Sequence, residues 1–356
     1  MIEYNIWFST VNLSHKIKLD LLKKYGTTEN IWICCNEGQI LDSKLSMHLK
    51  NSWDRLKINE IKKIIKENNI NLILYNEDLY PQKLKVYEDA PSILFYKGHL
   101  NKLNEEYSVS IVGSRNCTSY GINVTKIIST ELSKNNVNVI SGLAKGIDSC
   151  AHVACIDNNG FTCGVIGCGI DIIYPKENKS LYDKIIYSGC IISEFPPGTQ
   201  PLPQNFPIRN RIISGLSDIV IVVEAGMKSG SLITAGLALQ QGKDVMAVPG
   251  SIFSNQSKGC NKLINDGAYP VTCIEDIFRL INLKYSKSIK VKPKFSSTLE
   301  KKIYCILNEN PIHIDDILRS TNIDINHLYE VLFELQLKDE IICLAGNYYV
   351  RNKKTI

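Results

Sequence analysis

A length of 356 residues, 44% of them hydrophobic, provides for two or three domains with sizeable cores, and a formal net charge of only +5 means that any nucleic-acid binding depends on local basic patches. The 12 cysteines are scattered, with no C-x-x-C pair or zinc-ligand spacing, which indicates buried free thiols in a reducing compartment and no metal site. There is no signal-peptide pattern and no run of about 18 apolar residues, so we expect a cytoplasmic protein without a membrane span.

The first part of the chain predicts helices. Apolar and charged residues alternate at helical spacing over residues 13–26 and 58–69, and Gly26 is placed to end the first of these segments. We predict a helical N-terminal domain over residues 1–65, similar to SAM or helix-hairpin-helix domains.

The central part has a different pattern, which predicts a parallel sheet. Short, continuous apolar runs recur, separated by helix-like segments, at residues 109–113, 137–141, 162–167, 190–193, 218–224 and 244–250. Strands that are apolar on both faces fit a sheet with helices on both sides, so we predict a doubly wound parallel α/β domain over residues 66–283. Ligands of such sheets bind beyond the carboxyl ends of the strands, where this chain carries small residues.

The last part of the chain predicts a winged helix. A lysine-rich linker is expected over residues 284–296, and residues 297–352 then read as a helix, a helix-turn-helix and a hairpin. The expected recognition helix, within residues 324–340, carries three glutamates and one lysine. A basic reader of the major groove is therefore not expected, and a role in protein contact or dimerisation is left open.

The first of the central strands is followed by an arginine rather than by the glycines of a dinucleotide-binding motif. Gly113-Ser114-Arg115 stands where a G-x-G-x-x-G motif would place glycines against a pyrophosphate. A second G-x-G, at Gly167 and Gly169, lacks the third glycine and favours a tight turn. The sequence thus indicates no nucleotide cofactor.

Residues 141–152 join a strand to a helix through a turn that contains Lys145. The free N–H groups of a helix start, together with this lysine, favour an anion site. Asp148 and His152 are four residues apart and can share a helix face. Asp148 is expected to cap or orient the turn; the alternative is metal binding or catalysis, for which no further ligands are evident nearby.

Residues 204–216 place two arginines close to an aromatic ring at a predicted helix start. Arg209 and Arg211 flank Asn210 and follow Phe206, an arrangement suited to phosphate clamps beside a stacking ring. The alternative is a structural arginine that pairs with Asp218 or Glu224.

Two further segments add candidates. Ser229-Gly230-Ser231 forms another helix start whose hydroxyl and N–H groups suit a phosphate, or serve only as an N-cap. Lys176 lies just past a strand end, where it either points over the crevice or is a plain surface lysine. The chain has no P-loop, acidic pair or nucleophile elbow, so binding is favoured over catalysis.

The order of these motifs resembles a known family. G-S-R is followed by S-G-L-A-K-G-I-D-x-x-A-H, G-x-G-x-D-x-x-Y-P, F-P-x-R-N-R-I-I-x-G-L-S, V-V-E-A, K-S-G-S-L-I-T-A, V-P-G and G-C-N-K-L-I-N-D-G-A. From about residue 70 to residue 280 this succession resembles the DNA-processing protein A (DprA/Smf) family, and residues 80–98 are similar to that family's lead-in.

The resemblance implies an extended Rossmann-like fold that binds single-stranded DNA without a dinucleotide. It also implies a homodimer, loading of the RecA recombinase, displacement of single-strand-binding protein, and protection of incoming DNA in naturally transformable bacteria. By the same resemblance Arg115 and Lys176 are the main DNA contacts, and Phe206 stacks a base. The full set of candidate DNA-binding residues is Gly113, Ser114, Arg115, Lys145, Lys176, Phe206, Arg209, Asn210, Arg211, Ser229, Gly230 and Ser231.

Two other functions compete with this one. Rossmann relatives that hydrolyse nucleoside monophosphates carry P-G-G-x-G-T-x-x-E with a catalytic glutamate, whereas the nearest stretch here, MKSGSLITAGLAL, lacks the paired glycines and the acid. A transcription factor would read duplex DNA with the winged helix and sense a ligand in the Rossmann-like domain. We expect a recombination mediator that is not an enzyme.

Overall fold

The computed structural model describes residues 2–40, 42–286, 295, 297–308, 310–338 and 340–352. The chain divides into two units, Met1–Ser286 and Lys287–Ile356. Most of the expected lysine-rich linker, residues 287–294 and 296, lies outside the described residues. The N-terminal helices belong to the first unit, and the domain boundaries proposed from the sequence remain predictions.

Among the described residues, five helices precede the first strand. The start of each of the last four is capped by a side chain, that of Ser14, Thr27, Asp42 or Asp54, which accepts a hydrogen bond from a backbone N–H of the first helical turn. Gly26 ends the second helix as predicted, with a φ of 79° and its N–H donated to the Leu22 carbonyl. The helices are α1 (Ile2–Thr10), α2 (His15–Tyr25), α3 (Thr28–Asn36), α4 (Ser43–Asn51) and α5 (Arg55–Glu67).

A cluster of three indole rings packs between α1, α3 and the turn from α4 to α5. The ring centroids of Trp32 and Trp53 are 4.3 Å apart, and those of Trp7 and Trp32 are 5.0 Å apart. Trp7 is fully buried, and its Nε1 donates to the Ser52 hydroxyl at 2.9 Å. Aromatic pairs at such distances add to the free energy of burial, so the cluster is the centre of this helical layer.

The described part of the chain forms a nine-stranded sheet in the order β1-β2-β6-β5-β4-β3-β7-β8-β9. The seven strands β6-β5-β4-β3-β7-β8-β9 are parallel to one another, whereas β1 and β2 add an antiparallel edge. All six predicted apolar runs are strands; β1, β2 and β9 were not predicted. The strands are β1 (Asn71–Leu74), β2 (Ile93–Gly98), β3 (Ser108–Val112), β4 (Asn138–Ser141), β5 (Thr162–Val165), β6 (Cys190–Ser193), β7 (Ile219–Val222), β8 (Asp244–Ala247) and β9 (Tyr269–Pro270).

Helices cover both faces of the sheet, which confirms the doubly wound α/β prediction. Consecutive residues of β3 point to opposite sides: Ile111 packs in one core with Ile128, and Val112 packs in another with Ile212. Helices α7, α8 and α13 lie on the first face, and α10, α11 and α12 on the second. The helices are α6 (Lys102–Glu105), α7 (Ser119–Lys134), α8 (Ile147–Asp157), α9 (Lys179–Ser188), α10 (Asn205–Gly215), α11 (Gly230–Gln240), α12 (Lys258–Asn265) and α13 (Ile274–Leu280). No helix of the described residues is both long and apolar enough to cross a membrane.

The strand order creates one reversal at the middle of the sheet. From β3 the chain proceeds outward through β4, β5 and β6, and then returns by way of α10 to β7 on the other side of β3. Loops that leave β3 and β7 therefore diverge to opposite faces of the sheet. This is the position at which open α/β sheets bind ligands.

The second unit is a winged helix, as predicted. Ile303, Ile317, Leu328, Leu332 and Tyr349 form its core. Its described elements are α14 (Thr298–Ile306), β10 (Ile312–His313), α15 (Ile314–Thr321), α16 (Ile325–Leu337), β11 (Ile341–Leu344) and β12 (Tyr348–Arg351), with the sheet order β10-β12-β11.

Gly98, at the end of β2, provides a test of how the antiparallel edge is attached. Its φ is +90°, and a Cβ atom there would lie 2.2 Å from the Gly189 carbonyl oxygen. We expect Gly98→Ala to lower the free energy of unfolding by about 2–5 kcal/mol, from backbone strain and overpacking together. In the control Gly242→Ala, φ is +70° and nothing lies within 4 Å, so the loss is limited to about 1–2 kcal/mol of strain. Urea denaturation measures both; equal losses would contradict the close approach.

Candidate nucleic-acid interface

A cavity of about 640 Å³ opens at the carboxyl ends of β3 and β7. The loops after these two strands and the starts of α10 and α11 form its walls. The predicted site residues that line it are Gly113, Ser114, Arg115, Phe206, Arg209, Asn210, Ser229, Gly230 and Ser231. A smaller cavity of about 60 Å³ is lined by Arg115, Lys145, Phe206 and Arg209 among others. The structure thus brings most of the predicted set to one place.

Gly113 and Ser114 fix the loop that carries Arg115. The Ser114 N–H donates to the Glu224 carbonyl at 2.7 Å, and its hydroxyl donates to Gln256 Oε1 at 3.0 Å. A Cβ atom on Gly113 would lie 2.6 Å from the Ile147 side chain, so this position has no room for one. These contacts join the ends of β3 and β7 and leave the Arg115 side chain exposed.

Arg115 lies beside an aromatic pair. Its guanidinium carbon is 5.8 Å from the centroid of the Phe206 ring, within range of a cation–π contact. The Tyr174 ring lies 5.5 Å from Phe206 and is tilted by 35°. Among the described residues Arg115 has no carboxylate partner, so its charge is available to an anion.

Arg209 lies beneath Phe206 and is buried. Its Nη1 donates to the Gly142 carbonyl at 2.9 Å and to the Val165 carbonyl, at the ends of β4 and β5. Burial lowers the pKa of Arg209 to about 10, against the raising effect of the Asp148 charge. Arg209 is therefore a structural cation of the cavity floor.

Arg211 does not line the cavity, and the expectation that both arginines share one pocket is wrong. Residues two apart on a helix point to nearly opposite sides. Arg211 forms a buried ion pair with Glu194 and donates to His15 Nε2 at 3.0 Å, so it joins α10 to α2. The Arg211 side chain is consequently turned away from any ligand in the cavity.

The alternative pairing of these arginines with Asp218 or Glu224 is also absent among the described contacts. Asp218 pairs with Lys83 Nζ at 2.6 Å. Glu224 is buried and accepts from the backbone N–H of Thr118 at 2.8 Å and from its hydroxyl at 2.6 Å. Both carboxylates are occupied by other donors.

The turn before α8 donates hydrogen bonds to the carboxylate of Asp148, a residue in the first turn of α8. Asp148 Oδ2 accepts from the N–H groups of Gly142 at 3.2 Å and Ala144 at 3.4 Å, which confirms the predicted capping role. Burial raises the pKa of Asp148, and the nearby Arg209 charge opposes this rise. Two N–H groups of the turn thus bind an internal carboxylate, and the Ile147 N–H at the start of α8 donates to the Ser114 carbonyl at 3.2 Å. Lys145 Nζ is paired with Glu177 at 2.7 Å.

The start of α11 faces the cavity. Ser229 is the N-cap, and its hydroxyl accepts from the Ser231 N–H at 3.4 Å, so the capping alternative is present in the structure. Ser229, Gly230, Ser231 and Thr234 also line the cavity, which leaves a helix N-terminus directed at any bound anion. The capping interpretation is therefore confirmed, and phosphate binding at this helix start stays a prediction.

Lys176 and Lys228 are exposed cations near the two cavities. Lys176 opens a short 3-10 turn directly after Pro175, which lines the smaller cavity, but does not line either cavity itself. Lys228 lines the larger cavity and was not predicted. A signal for it was available, since Lys228 directly precedes the predicted Ser229-Gly230-Ser231 segment. Tyr174, Asn116 and Gln256 also line the cavity and were not predicted.

Catalytic groups are scarce at the cavity. Of the described residues that line it, Asp148 is the one carboxylate, and backbone N–H groups hold it. No group of three potential metal ligands occurs in the described parts of the chain. The arrangement of free cations, aromatic rings and a helix N-terminus is suited to binding an anionic, base-bearing polymer.

Comparison with known proteins places the chain in a family. Residues 71–282 match the family described as DNA recombination-mediator protein A, and residues 292–347 match the DprA winged helix domain. The DNA processing protein DprA of Streptococcus pneumoniae is 49% identical over 202 residues, 56% of this chain and 71% of that protein. The DprA of Bacillus subtilis is 43% identical over 244 residues, 67% of this chain and 82% of that protein. The chain belongs to the DNA recombination-mediator protein A family.

Two solved structures share the fold. The X-ray structure of DprA from Streptococcus pneumoniae matches with a TM-score of 0.67 and 37% identity, over 80% of this chain and 99% of that one. A structure of DprA from Helicobacter pylori, described by its single-stranded DNA binding mode, matches with a TM-score of 0.56 and 30% identity, over 61% and 97% of the two chains.

His152, the partner considered for Asp148 in a metal site, is a buried neutral side chain. Its Nδ1 is 2.6 Å from the Thr162 hydroxyl, which itself donates to the Val139 carbonyl at 2.8 Å. Nδ1 therefore carries the proton, and the buried Nε2 has no hydrogen-bond partner in the described structure. Burial, aided by the Arg209 charge, lowers the pKa of His152 to about 3.

Because an unfolded histidine titrates near pH 6.5, the unfolded chain binds the extra proton first as the pH falls. We expect His152 to reduce the free energy of unfolding by about 1.4 kcal/mol per pH unit between about pH 6 and pH 4. His15, whose pKa burial lowers to about 4, contributes in the same range and is retained in the variant His152→Gln. Denaturation across this range should show a shallower pH dependence in the variant; identical slopes would contradict a neutral buried His152.

Proposed function

We propose that this chain binds single-stranded DNA at the carboxyl edge of its central sheet and acts there as a recombination mediator. The observation that carries the proposal is the position of Arg115 beside Phe206 at the cavity. Asp148, the carboxylate among the described lining residues, already accepts hydrogen bonds from backbone N–H groups. Arg115, Lys228 and Lys176 would contact phosphates, while Phe206 and Tyr174 would stack on bases. The DprA of Helicobacter pylori, described by its single-stranded DNA binding mode, supports this proposal.

Single-stranded DNA is favoured over duplex DNA for two reasons. A base must be unpaired to stack on Phe206, because a duplex keeps its bases stacked on each other. The recognition helix α16 also exposes Tyr329, Phe333 and Leu337 rather than basic side chains. A winged helix that reads the major groove needs cations and hydrogen-bond donors on that face.

Finer assignments are proposed on the basis of the family resemblance. We propose that the chain acts in the cytoplasm as a homodimer, delivers RecA to DNA coated with single-strand-binding protein, and protects incoming DNA during transformation. It would do so without an enzymatic step of its own, since Glu224 and Asp148 are both held by other groups. These assignments are tested by adding the chain in substoichiometric amounts to RecA and DNA coated with single-strand-binding protein. We expect it to restore RecA strand exchange.

The DNA site is tested by fluorescence anisotropy on a labelled oligonucleotide of about 20 nucleotides over a salt series. We expect Arg115→Ala to weaken binding about 10-fold or more and to reduce the slope of log affinity against log salt by about 0.7, the value for one lost phosphate contact. The control Lys134→Ala also removes one charge, but it lies at the end of α7, at the opposite edge of the sheet, and should bind as wild type. Tighter duplex binding, or equal loss in both variants, would overturn the proposal.

A further inference from the structure

The loop after β8 exposes two large apolar side chains. The Phe253 side chain is 91% exposed and that of Ile252 is 75% exposed. We propose that the bound single strand continues past Lys228 onto this loop, where Phe253 stacks on a second base and Lys258 holds a phosphate. This inference rests on the proposed DNA-binding function and extends its site to a second platform.

The loop lies on the same sheet edge as the cavity. Strand β8 is parallel to β7 and hydrogen-bonded to it, so both strands end on that side. Gln256, three residues after Phe253, lines the cavity and accepts from the Ser114 hydroxyl at 3.0 Å. The Gln256 carbonyl also accepts from the Ala225 N–H at 2.7 Å. The cavity wall and the exposed ring therefore belong to one loop.

The loop is held in place at both ends. Asn261 bonds both the N–H and the carbonyl of Gly250, at 3.2 and 3.0 Å, and the Tyr120 hydroxyl donates to the Pro249 carbonyl at 2.8 Å. The Phe253 N–H donates to the Ser251 hydroxyl at 3.3 Å. A ring presented on an anchored loop loses little conformational entropy when it binds, and its burial by a base removes apolar surface from water.

The charge along this path favours a polyanion. Residues 225–265 contain one acidic residue, Asp244, and it opens β8 at the opposite edge of the sheet. Lys228 and Lys258 are exposed, and neither has an ion-pair partner among the described residues. The path from the cavity to Phe253 is therefore cationic, which fits a nucleic-acid backbone better than the mixed surface of a protein partner.

The two aromatic platforms are too far apart to serve one base. Phe206 packs against Gly167, just beyond β5, whereas Phe253 follows β8. Phe206 also lies beside Arg115, which follows β3. In the order β5-β4-β3-β7-β8, β8 is four inter-strand spacings from β5, about 19 Å, and two from β3, about 10 Å. Only an oligonucleotide of several residues can reach both rings, so the effect of Phe253 must depend on length.

The test compares thymidine oligonucleotides of about 4 and about 16 nucleotides by anisotropy. We expect Phe253→Ala to weaken binding of the long oligonucleotide about 5- to 150-fold, the value of one stacked base, and to leave the short one unchanged. Arg115→Ala should weaken both. Tyr187→Ala is the matched control, because this ring is 88% exposed but lies near the end of α9, at the other edge of the sheet.

The substitution Phe253→Trp should retain long-oligonucleotide affinity, and Phe253→Leu should lose it, because stacking needs a flat ring. Full affinity in Phe253→Ala or Phe253→Leu, with Arg115→Ala still defective, would overturn this inference alone. Wild-type binding by Arg115→Ala would instead overturn the proposed function. A change of particle mass in Phe253→Ala, measured by light scattering, would assign the ring to contact between copies and also overturn the inference.

Discussion

The buried guanidinium of Arg209 is the contact on which the candidate site depends. It binds carbonyls at the ends of β4 and β5 and so fixes the start of α10 against the sheet. A Cβ atom at Gly142 would lie 2.9 Å from Nη2 of this arginine, so the close approach requires glycine there. A buried cation is costly unless it is compensated, and the carbonyls together with the Asp148 charge supply that compensation. Phe206, one turn earlier on α10, then faces Arg115 with a defined geometry.

Arg209 and Arg211 lie on different faces of α10 and contact different parts of the molecule. Arg209 faces the sheet and supports the cavity floor, whereas Arg211 faces α2 through Glu194 and His15. The ion pair of Arg211 is nearly inaccessible to solvent, with side-chain exposures of 10% and 5%. The same short helix thus connects the carboxyl edge of the sheet with the N-terminal helical layer, and a change in either arginine acts on a different neighbour.

Much of the fold could be predicted because the signals are local. The continuous apolar runs of β3 to β8 and the helix-turn-helix pattern of the second unit each depend on adjacent residues. By contrast, β1 and β2 join the sheet as an antiparallel edge, which no local pattern specifies. The position of Lys228 depends on β7 lying next to β3, and the orientation of Arg211 depends on which face of α10 meets the sheet. Arg115 could be singled out because it interrupts a glycine motif directly after a strand, a signal contained in three consecutive residues.

The indole cluster of the N-terminal helices has a practical consequence. The chain has three tryptophans, and all of them lie in this layer, in mutual contact. Intrinsic tryptophan emission therefore reports on the N-terminal helices, whereas the winged helix and the carboxyl edge of the sheet contain no indole. An optical signal taken from these rings measures the unfolding of one layer of the molecule, and a transition elsewhere has to be followed by another probe.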